Sequence, residues 1–271
     1  MKKLLFFDID GTLIDDNREL PHSVIPALKT ARERDCLIFL NTGRTLCNMD
    51  PRLKTLPLDG MVLGCGTRII CQGETLKALE YTLQDSLRIR KIINDLQIPA
   101  VYECDTGMYF DPEGTSYPAI DHFRQFSDNA GIYREIREQD PEFRAVKMFC
   151  FSDRPETITG MLHGLEKAGY AYSAIDRGGA GWEIVPAGCS KAQGIEFIRE
   201  RMKVPLSACY AFGDSANDLP MLDYVPNSIA MGNAPPDVQT RCALVTDRPE
   251  NDGIRNALIR LGILDETNQP A

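Results

Sequence analysis

The stretch that most constrains this chain is Leu4-Leu5-Phe6-Phe7-Asp8-Ile9-Asp10-Gly11-Thr12. Four apolar residues in an unbroken run read as a strand buried on both faces, as in the middle of a parallel sheet. Two carboxylates follow, two residues apart, so continued strand geometry would project them from the same side. Gly11 permits a sharp turn or a close backbone approach, and Thr12 adds a hydroxyl. In an open α/β sheet, ligands bind at the carboxyl ends of central strands. A pair of acids there reads as a metal site, a reacting group, or both. The competing reading is a hairpin, since Asp-Gly between apolar runs is also a turn signal and Leu13-Ile14 could begin the returning strand. Leu4 to Phe7 does not alternate, however, and the polar stretch Asp15 to Glu19 leads into a helix.

The same texture continues. Pro21-His22-Ser23 opens a helical stretch through Arg34, with Val24, Ile25, Leu28 and Ala31 on one face. Cys36 to Leu40 is a second apolar run, ending at Asn41, and Thr42-Gly43-Arg44-Thr45 is expected to cap a following helix. Gly60 to Leu63 reads as a third strand, with a hairpin through Gln72-Gly73-Glu74. Strand–helix–strand order implies a parallel sheet.

From about Asp85 the texture changes to a helix (Asp85 to Leu96) and short strands near residues 100–103, 108–110 and 145–150. A second helix is expected near 155–168, then strands near 170–175 and 182–185. This predicts an α+β module with one open sheet face. The α/β texture resumes at Gly188, with a helix from Lys191 and the strand Ala208 to Phe212. After that strand come Gly213-Asp214-Ser215-Ala216-Asn217-Asp218 and a short helix. A strand near 228–231, a helix over 236–242, a strand over 243–245 and a helix over 253–261 follow. The tail from Asp265 is polar and expected to fray. The organisation expected is therefore a discontinuous core, 1–82 and 187–271, with an inserted domain over 83–186.

Composition narrows the function classes. Hydrophobic residues make up 43% and charged residues 25% of the 271, which is ordinary for a soluble globular protein. No apolar run approaches a membrane span, and the N-terminal apolar stretch is too short for a signal peptide, so a cytoplasmic protein with no membrane partner is expected. Nine cysteines stand singly, in an odd number, which fits reduced thiols and neither a disulfide framework nor a zinc site. His22, His122 and His163 have no partner spacing. A net charge of −9 argues against nucleic acid as a partner. A small anion could bind only at a locally positive spot.

Four loops share one description: each follows or adjoins a strand of the sheet and carries groups suited to phosphate or metal. They are Asp8/Asp10, Thr42-Gly43, Lys191, and Asp214/Asn217/Asp218. One parallel sheet would place them on a common edge. Asp8, Asp10, Asp214 and Asp218 would crowd negative charge there, and an oxygen-only donor set points to Mg²⁺. Lys191 at a helix N-terminus opposes the macrodipole, so a neighbouring anion would explain it; a solvated lysine is the alternative. Thr42-Gly43 could equally be only a helix cap.

With these residues in order, the chain resembles the haloacid dehalogenase superfamily, in its Cof-type sugar-phosphatase branch. The motifs that carry the resemblance are Asp8-Ile9-Asp10-Gly11-Thr12, Thr42-Gly43-Arg44, Lys191, and Gly213-Asp214-Ser215-Ala216-Asn217-Asp218. Gly232-Asn233-Ala234, Asn251-Asp252-Gly253 and the insertion between the second and third motifs match the branch. The resemblance implies a Rossmann-like parallel-sheet core with an inserted α+β cap domain that closes over the site. It implies Asp8 as the nucleophile that forms an aspartyl-phosphate and Asp10 as the general acid and base. It implies that Asp8, Asp214 and the Asp10 carbonyl hold Mg²⁺, with Asp218 in or near that shell. Thr42, the Gly43 backbone, Lys191 and Asn217 would cradle the phosphoryl oxygens. Relatives usually carry Asn-Gly-Ala where this chain has Cys65-Gly66-Thr67.

The expected function is a Mg²⁺-dependent phosphatase acting on small phosphorylated metabolites, with sugar phosphates foremost, in a monomer or weak homodimer. Lys147, Arg177, Trp182 and Glu183 are candidates for reading the substrate because they sit at strand ends or after glycines. A phosphotransferase of the phosphomannomutase type is the alternative enzyme, and a non-catalytic ligand-binding protein the alternative outside enzymes.

Overall fold

The computed structural model describes residues 2–79 and 81–266. The chain divides into two units, the first built from Met1–Gly43, Asp50–Lys77 and Ser190–Ala271 and the second from Arg44–Met49 and Ala78–Cys189. The first is an α/β unit around an eight-stranded sheet. Its parallel strands, in spatial order, are Leu244–Val245, Asn227–Ala230, Cys209–Gly213, Lys3–Phe7, Cys36–Asn41 and Gly60–Leu63. Arg68–Cys71 joins antiparallel, and Glu74–Ala78 lies beside it at the edge.

The apolar runs read from the sequence are the middle of this sheet. Leu4, Leu5, Phe6 and Phe7 have no exposed surface. Alternate residues serve opposite faces, so Phe6 stacks on Phe39 with centroids 5.1 Å apart while Phe7 stacks on Phe212 at 4.4 Å. On one face Leu4, Phe6 and Ala211 pack with Ile195 and Ile198 of helix Lys191–Met202 and with Met221 and Leu222 of helix Leu219–Tyr224. Helix Val24–Glu33 packs on the Cys36–Asn41 strand and on helix Gly253–Arg260. Each fully buried Leu, Ile or Phe contributes about 1.5–3 kcal/mol, so this central run is the unit's main hydrophobic anchor. Gln72 and Gly73 both take positive φ, 51° and 83°, as a two-residue hairpin loop needs.

Three expectations need correction. No α-helix follows Thr42-Gly43-Arg44-Thr45; Leu46–Asn48 and Pro51–Thr55 are single 3₁₀ turns, the second capped by Asp50, which accepts from the Arg52 N–H. Helix Val24–Glu33 is shorter than the span read from Pro21 to Arg34. The strand geometry ends at Phe7, so strand alternation does not place Asp8 and Asp10: Asp8 is buried and Asp10 exposed. The chain turns here because the Ile9 carbonyl accepts from both Leu13 and Ile14 N–H while Gly11 sits at φ +77°.

The second unit carries a six-stranded sheet in the order Tyr172–Asp176, Gly181–Pro186, Lys147–Phe151, Ala100–Glu103, Met108–Phe110, Tyr133–Glu135. All its pairs are antiparallel except the last. Helices Leu83–Asp95 and Pro155–Lys167 cover Tyr102, Met148 and Ile184 on one face. Thr82 and Asp85 close the start of the first helix with a capping box. The other face was expected to be open, but helix Pro118–Asn129 packs Ile120 and Phe123 against Val101, Phe110 and Phe151. Its signal was present: Pro118 at the first helical position, then Ile120, Phe123 and Ser127 at helical spacing. The strand Tyr133–Glu135 was also missed, being only three residues long. No helix among the described residues is long and apolar enough to cross a membrane. The polar tail beyond Glu266 lies outside the described residues.

Candidate active site

The carboxyl ends of three neighbouring strands assemble the site. Phe7 lies opposite Phe212 on one side and Leu40 on the other, which sets Asp8 between Gly213-Asp214 and Asn41-Thr42. The Asp8 N–H donates to the Phe212 carbonyl at 3.0 Å, continuing the ladder one step beyond the strand. The Thr42 N–H donates to the Val62 carbonyl at 2.9 Å, and the Thr42 carbonyl accepts from the Cys65 N–H at 3.0 Å. Thr42 is buried at the mouth of this edge, and Gly43 follows it.

Lys191 reaches the site from another direction. Ser190 caps its helix by accepting from the Gln193 N–H, and Asn41 Nδ2 donates to the Lys191 carbonyl at 3.0 Å. The helix lies so close to the Gly60–Leu63 strand that a Cβ on Gly194 would meet Val62 at 2.3 Å. The Lys191 ammonium is not in water: Nζ donates to Asp8 Oδ1 at 2.6 Å and to Asp218 Oδ1 at 2.5 Å, with the lysine 2% exposed. Burial pulls the Lys191 pKa down, but the Asp218 and Asp8 charges overcome this and hold it above the usual lysine value. The anions that explain a lysine at this helix start are thus the protein's own carboxylates.

Asp218 serves as the hub of the motif loop. Its Oδ2 accepts from the Asp214 and Ser215 N–H groups at 2.9 and 3.1 Å. A Cβ on Gly213 would stand 2.6 Å from the Asp218 carboxyl, so only glycine lets the loop fold this tightly. Asn217 is buried on the turn Ala216–Asp218; its amide oxygen accepts from the Ser215 hydroxyl, leaving Nδ2 as the end suited to an oxyanion.

Carboxyl oxygens of Asp8, Asp214 and Asp218 lie within 4.8 Å of one another. Burial, and then the neighbouring Asp218 charge, push the Asp8 carboxyl up to about 7 despite Lys191. Burial and the charges of Asp218 and Asp8 push Asp214 up to about 8. Fully ionised, the three carboxylates face one ammonium, which leaves two negative charges unbalanced. Oxygen-only donors with that deficit fit a hard divalent cation, and these residues are the ones that could hold it.

Sequence reasoning left two supports without a role. Thr12 Oγ1 lies 3.4 Å from Asp214 Oδ1, and Asn233 Nδ2 lies 3.4 Å from Asp214 Oδ2. The Gly232-Asn233-Ala234 motif was the available signal for the second.

In the second unit three of the four candidates, Lys147, Arg177 and Glu183, form one charge cluster. Lys147 Nζ pairs with Glu183 Oε1 at 2.5 Å and Glu103 Oε1 at 3.0 Å, all three buried. Arg177 approaches Glu183 at 3.6 Å, and Thr45 Oγ1 donates to Glu103 Oε2 at 3.1 Å. Trp182 donates its indole N–H to the Ser152 carbonyl. Glu103, which the sequence did not single out, is the shared partner: it stands opposite Lys147 in the ladder. Burial holds its carboxyl above the usual glutamate range.

A mostly parallel sheet whose carboxyl edge gathers acids around a buried lysine gives the first unit a Rossmann-like α/β architecture with its candidate site at a strand-end edge. A family model described as haloacid dehalogenase-like hydrolase matches residues 5–258, and the chain belongs to that family of hydrolases. It is 29% identical over 245 residues to the HMP-PP phosphatase of Citrobacter koseri, covering 87% of this chain and 86% of the relative. Two solved structures share the fold. BT1666 from Bacteroides thetaiotaomicron, studied among phosphatases of the HAD enzyme superfamily, superposes with a TM-score of 0.81 at 23% identity over 97% of this chain and 96% of that one. The HAD subclass IIB sugar phosphatase BT4131 gives a TM-score of 0.78 at 23% identity over 97% and 100%.

Proposed function

We propose that the chain is a Mg²⁺-dependent phosphatase that hydrolyses small phosphorylated metabolites, with sugar phosphates as the substrate class, through an aspartyl-phosphate on Asp8. The observation that carries this reading is the buried Asp8 carboxylate, held by Lys191 within a cluster that, fully ionised, leaves two negative charges unbalanced. Asp8, Asp214 and the Asp10 backbone carbonyl would hold Mg²⁺, with Asp218 beside them. When bound, the cation offsets the repulsion between a carboxylate nucleophile and a phosphate dianion.

The chain's own groups do the rest. Lys191, Thr42, the Gly43 backbone and Asn217 hold the phosphoryl oxygens as charge redistributes. A bond forms from an Asp8 oxygen to phosphorus while the bond to the leaving oxygen breaks, and Asp10 gives that oxygen its proton. Asp10 is exposed, so its carboxyl is open to the water that it deprotonates in the second half. In the second half Asp10 takes a proton from water, whose oxygen attacks phosphorus, freeing Asp8 and inorganic phosphate.

The shared phosphatase description of HMP-PP phosphatase and BT4131 supports the reaction class, and the sugar phosphatase BT4131 supports the substrate class. A panel of phosphate esters, assayed with Mg²⁺ and again after chelation, tests the reading. Mg²⁺-dependent phosphate release from a hexose phosphate without a bisphosphate activator is expected. Absence of turnover across the panel refutes it, and a strict bisphosphate requirement moves the protein to the phosphomutases. Asp214→Asn removes a charged ligand while keeping its shape, and is expected to raise the Mg²⁺ concentration needed for half-maximal rate.

A further inference from the structure

The segment Gly232-Asn233-Ala234 forms a turn just beyond strand Asn227–Ala230, and it is anchored firmly. The Met231 N–H donates to the Gly213 carbonyl at 3.0 Å, the Gly232 N–H to Asp247 at 3.1 Å, and the Ala234 N–H to Met231 at 3.0 Å. Gly232 sits so close to residues 246–248 that a Cβ there would meet the Arg248 nitrogen at 2.7 Å. Behind that stretch, Thr246 Oγ1 donates to the Gly253 carbonyl at 2.7 Å, and a Cβ on Gly253 would stand 2.2 Å from the Asp247 oxygen. The two motif glycines thus let the 246–248 backbone press against the turn and fix it.

From this turn Asn233 Nδ2 donates to the Gly11 carbonyl at 2.9 Å and reaches Asp214 Oδ2 at 3.4 Å. The Gly11 carbonyl can only accept, which decides the orientation of the amide: nitrogen faces it. Oδ1 is left buried with no hydrogen-bond partner among the described residues. A buried acceptor without a donor is costly, so Oδ1 calls for a donor such as a water molecule. Gly11 is bare for a reason as well, since a Cβ there would meet Asp214 Oδ2 at 2.3 Å. Thr12 holds the other oxygen of Asp214.

We propose that Asn233 is a positioning residue for the cation site. Its Nδ2 ties the Gly11 turn to the Asp214 carboxylate, and its Oδ1 would accept a hydrogen bond from a water held by the cation when bound. This rests on the Mg²⁺-dependent reading above. Mg²⁺ keeps several of its waters when bound, and each needs acceptors. Partners that orient a metal ligand are typically worth 10–100-fold in metal affinity.

The test uses Mn²⁺ as a spectroscopic probe on the full chain without substrate. Electron paramagnetic resonance of free Mn²⁺ gives Kd for the parent, Asn233→Ala and Asn233→Leu, the last keeping the volume but no polar atom. Circular dichroism melting checks that each variant folds. The expected result is a Kd raised about tenfold or more in both variants, with activity largely restored by excess Mg²⁺. Kd values within about twofold of a metal-binding parent overturn the proposal while leaving the phosphatase reading intact. A parent that binds no divalent cation overturns the metal reading itself and this proposal with it. If neither variant folds, Asn233 is a structural residue and the proposal fails.

Discussion

Lys191→Met tests the electrostatic account of the site most directly. Methionine keeps an unbranched stem and removes the ammonium with its charge and donors. The parent ammonium makes two charge-assisted hydrogen bonds, at 2.6 Å to Asp8 and 2.5 Å to Asp218, inside a site where the lysine is 2% exposed. Such bonds contribute about 1.5–3 kcal/mol each, which sums to roughly 3–6 kcal/mol. Proton uptake limits the loss, because burial already pushes the Asp8 and Asp214 carboxyls up to about 7 and about 8 in the parent. The expected destabilisation of the metal-free protein is therefore about 3–5 kcal/mol, the range for breaking a buried ion pair. Urea unfolding followed by far-UV circular dichroism measures it. Trp182, the single tryptophan, belongs to the second unit, so its fluorescence transition is the internal control and should stay in place. A group with a raised folded pKa holds its proton more tightly in the folded state, so the variant should lose more at about pH 9 than at about pH 6. A loss below about 1 kcal/mol, or an equal shift of the Trp182 transition, would refute the reasoning.

The two acids of the opening motif should part by mutation. Asp8→Asn is expected to abolish turnover and leave no acid-stable, alkali-labile phosphate on the protein, whereas Asp10→Asn keeps the nucleophile and should lose less of the first step with an aryl phosphate than with a sugar phosphate; rapid-quench assays with both esters check this, and equal losses would make Asp10 structural. Cys65 holds the left-handed conformation at φ 56°, ψ 36°, which Asn tolerates better than Cys, so Cys65→Asn should stabilise the core by about 0.5–1 kcal/mol in urea unfolding. A lower midpoint would mean that the buried thiol packs better than an amide can. Burial raises the Asp111 carboxyl, but hydrogen bonds from Arg90, Asn94 and the Glu113 N–H outweigh it and leave its pKa below the usual value. Its contribution is therefore present above about pH 4 and lost as pH falls through the lowered pKa. Asp111→Asn should destabilise the second unit at neutral pH and converge with the parent in acid, read by Trp182 fluorescence.

The class of this protein was legible in the chain because the decisive signals are local. An unbroken apolar run such as Leu4 to Phe7 can be satisfied only by burial on both faces, and a polar residue at its end then falls at the sheet's carboxyl edge. Parallel strands bring such ends together without further information, so Asp8, Thr42, Lys191 and Asp214 could be grouped from spacing and residue type. What spacing could not decide is which groups touch. Asp8 and Lys191 are 183 residues apart, and Asn233 and Gly11 are 222 apart. Their contacts depend on strand order, on register, and on glycines that admit a neighbouring backbone. The Phe7 to Phe212 register sets Asp8 beside Asp214, while a turn at Gly11, and not strand alternation, carries the exposed Asp10. In the second unit Lys147 and Glu183 read as separate strand-end candidates, yet the ladder pairs Lys147 with Glu103 and sets Glu183 on the adjacent strand. Local pattern selected the residues that must lie at the edge, and only the closed tertiary structure could choose their partners, because a buried charge is stable only where some distant segment supplies the opposite one.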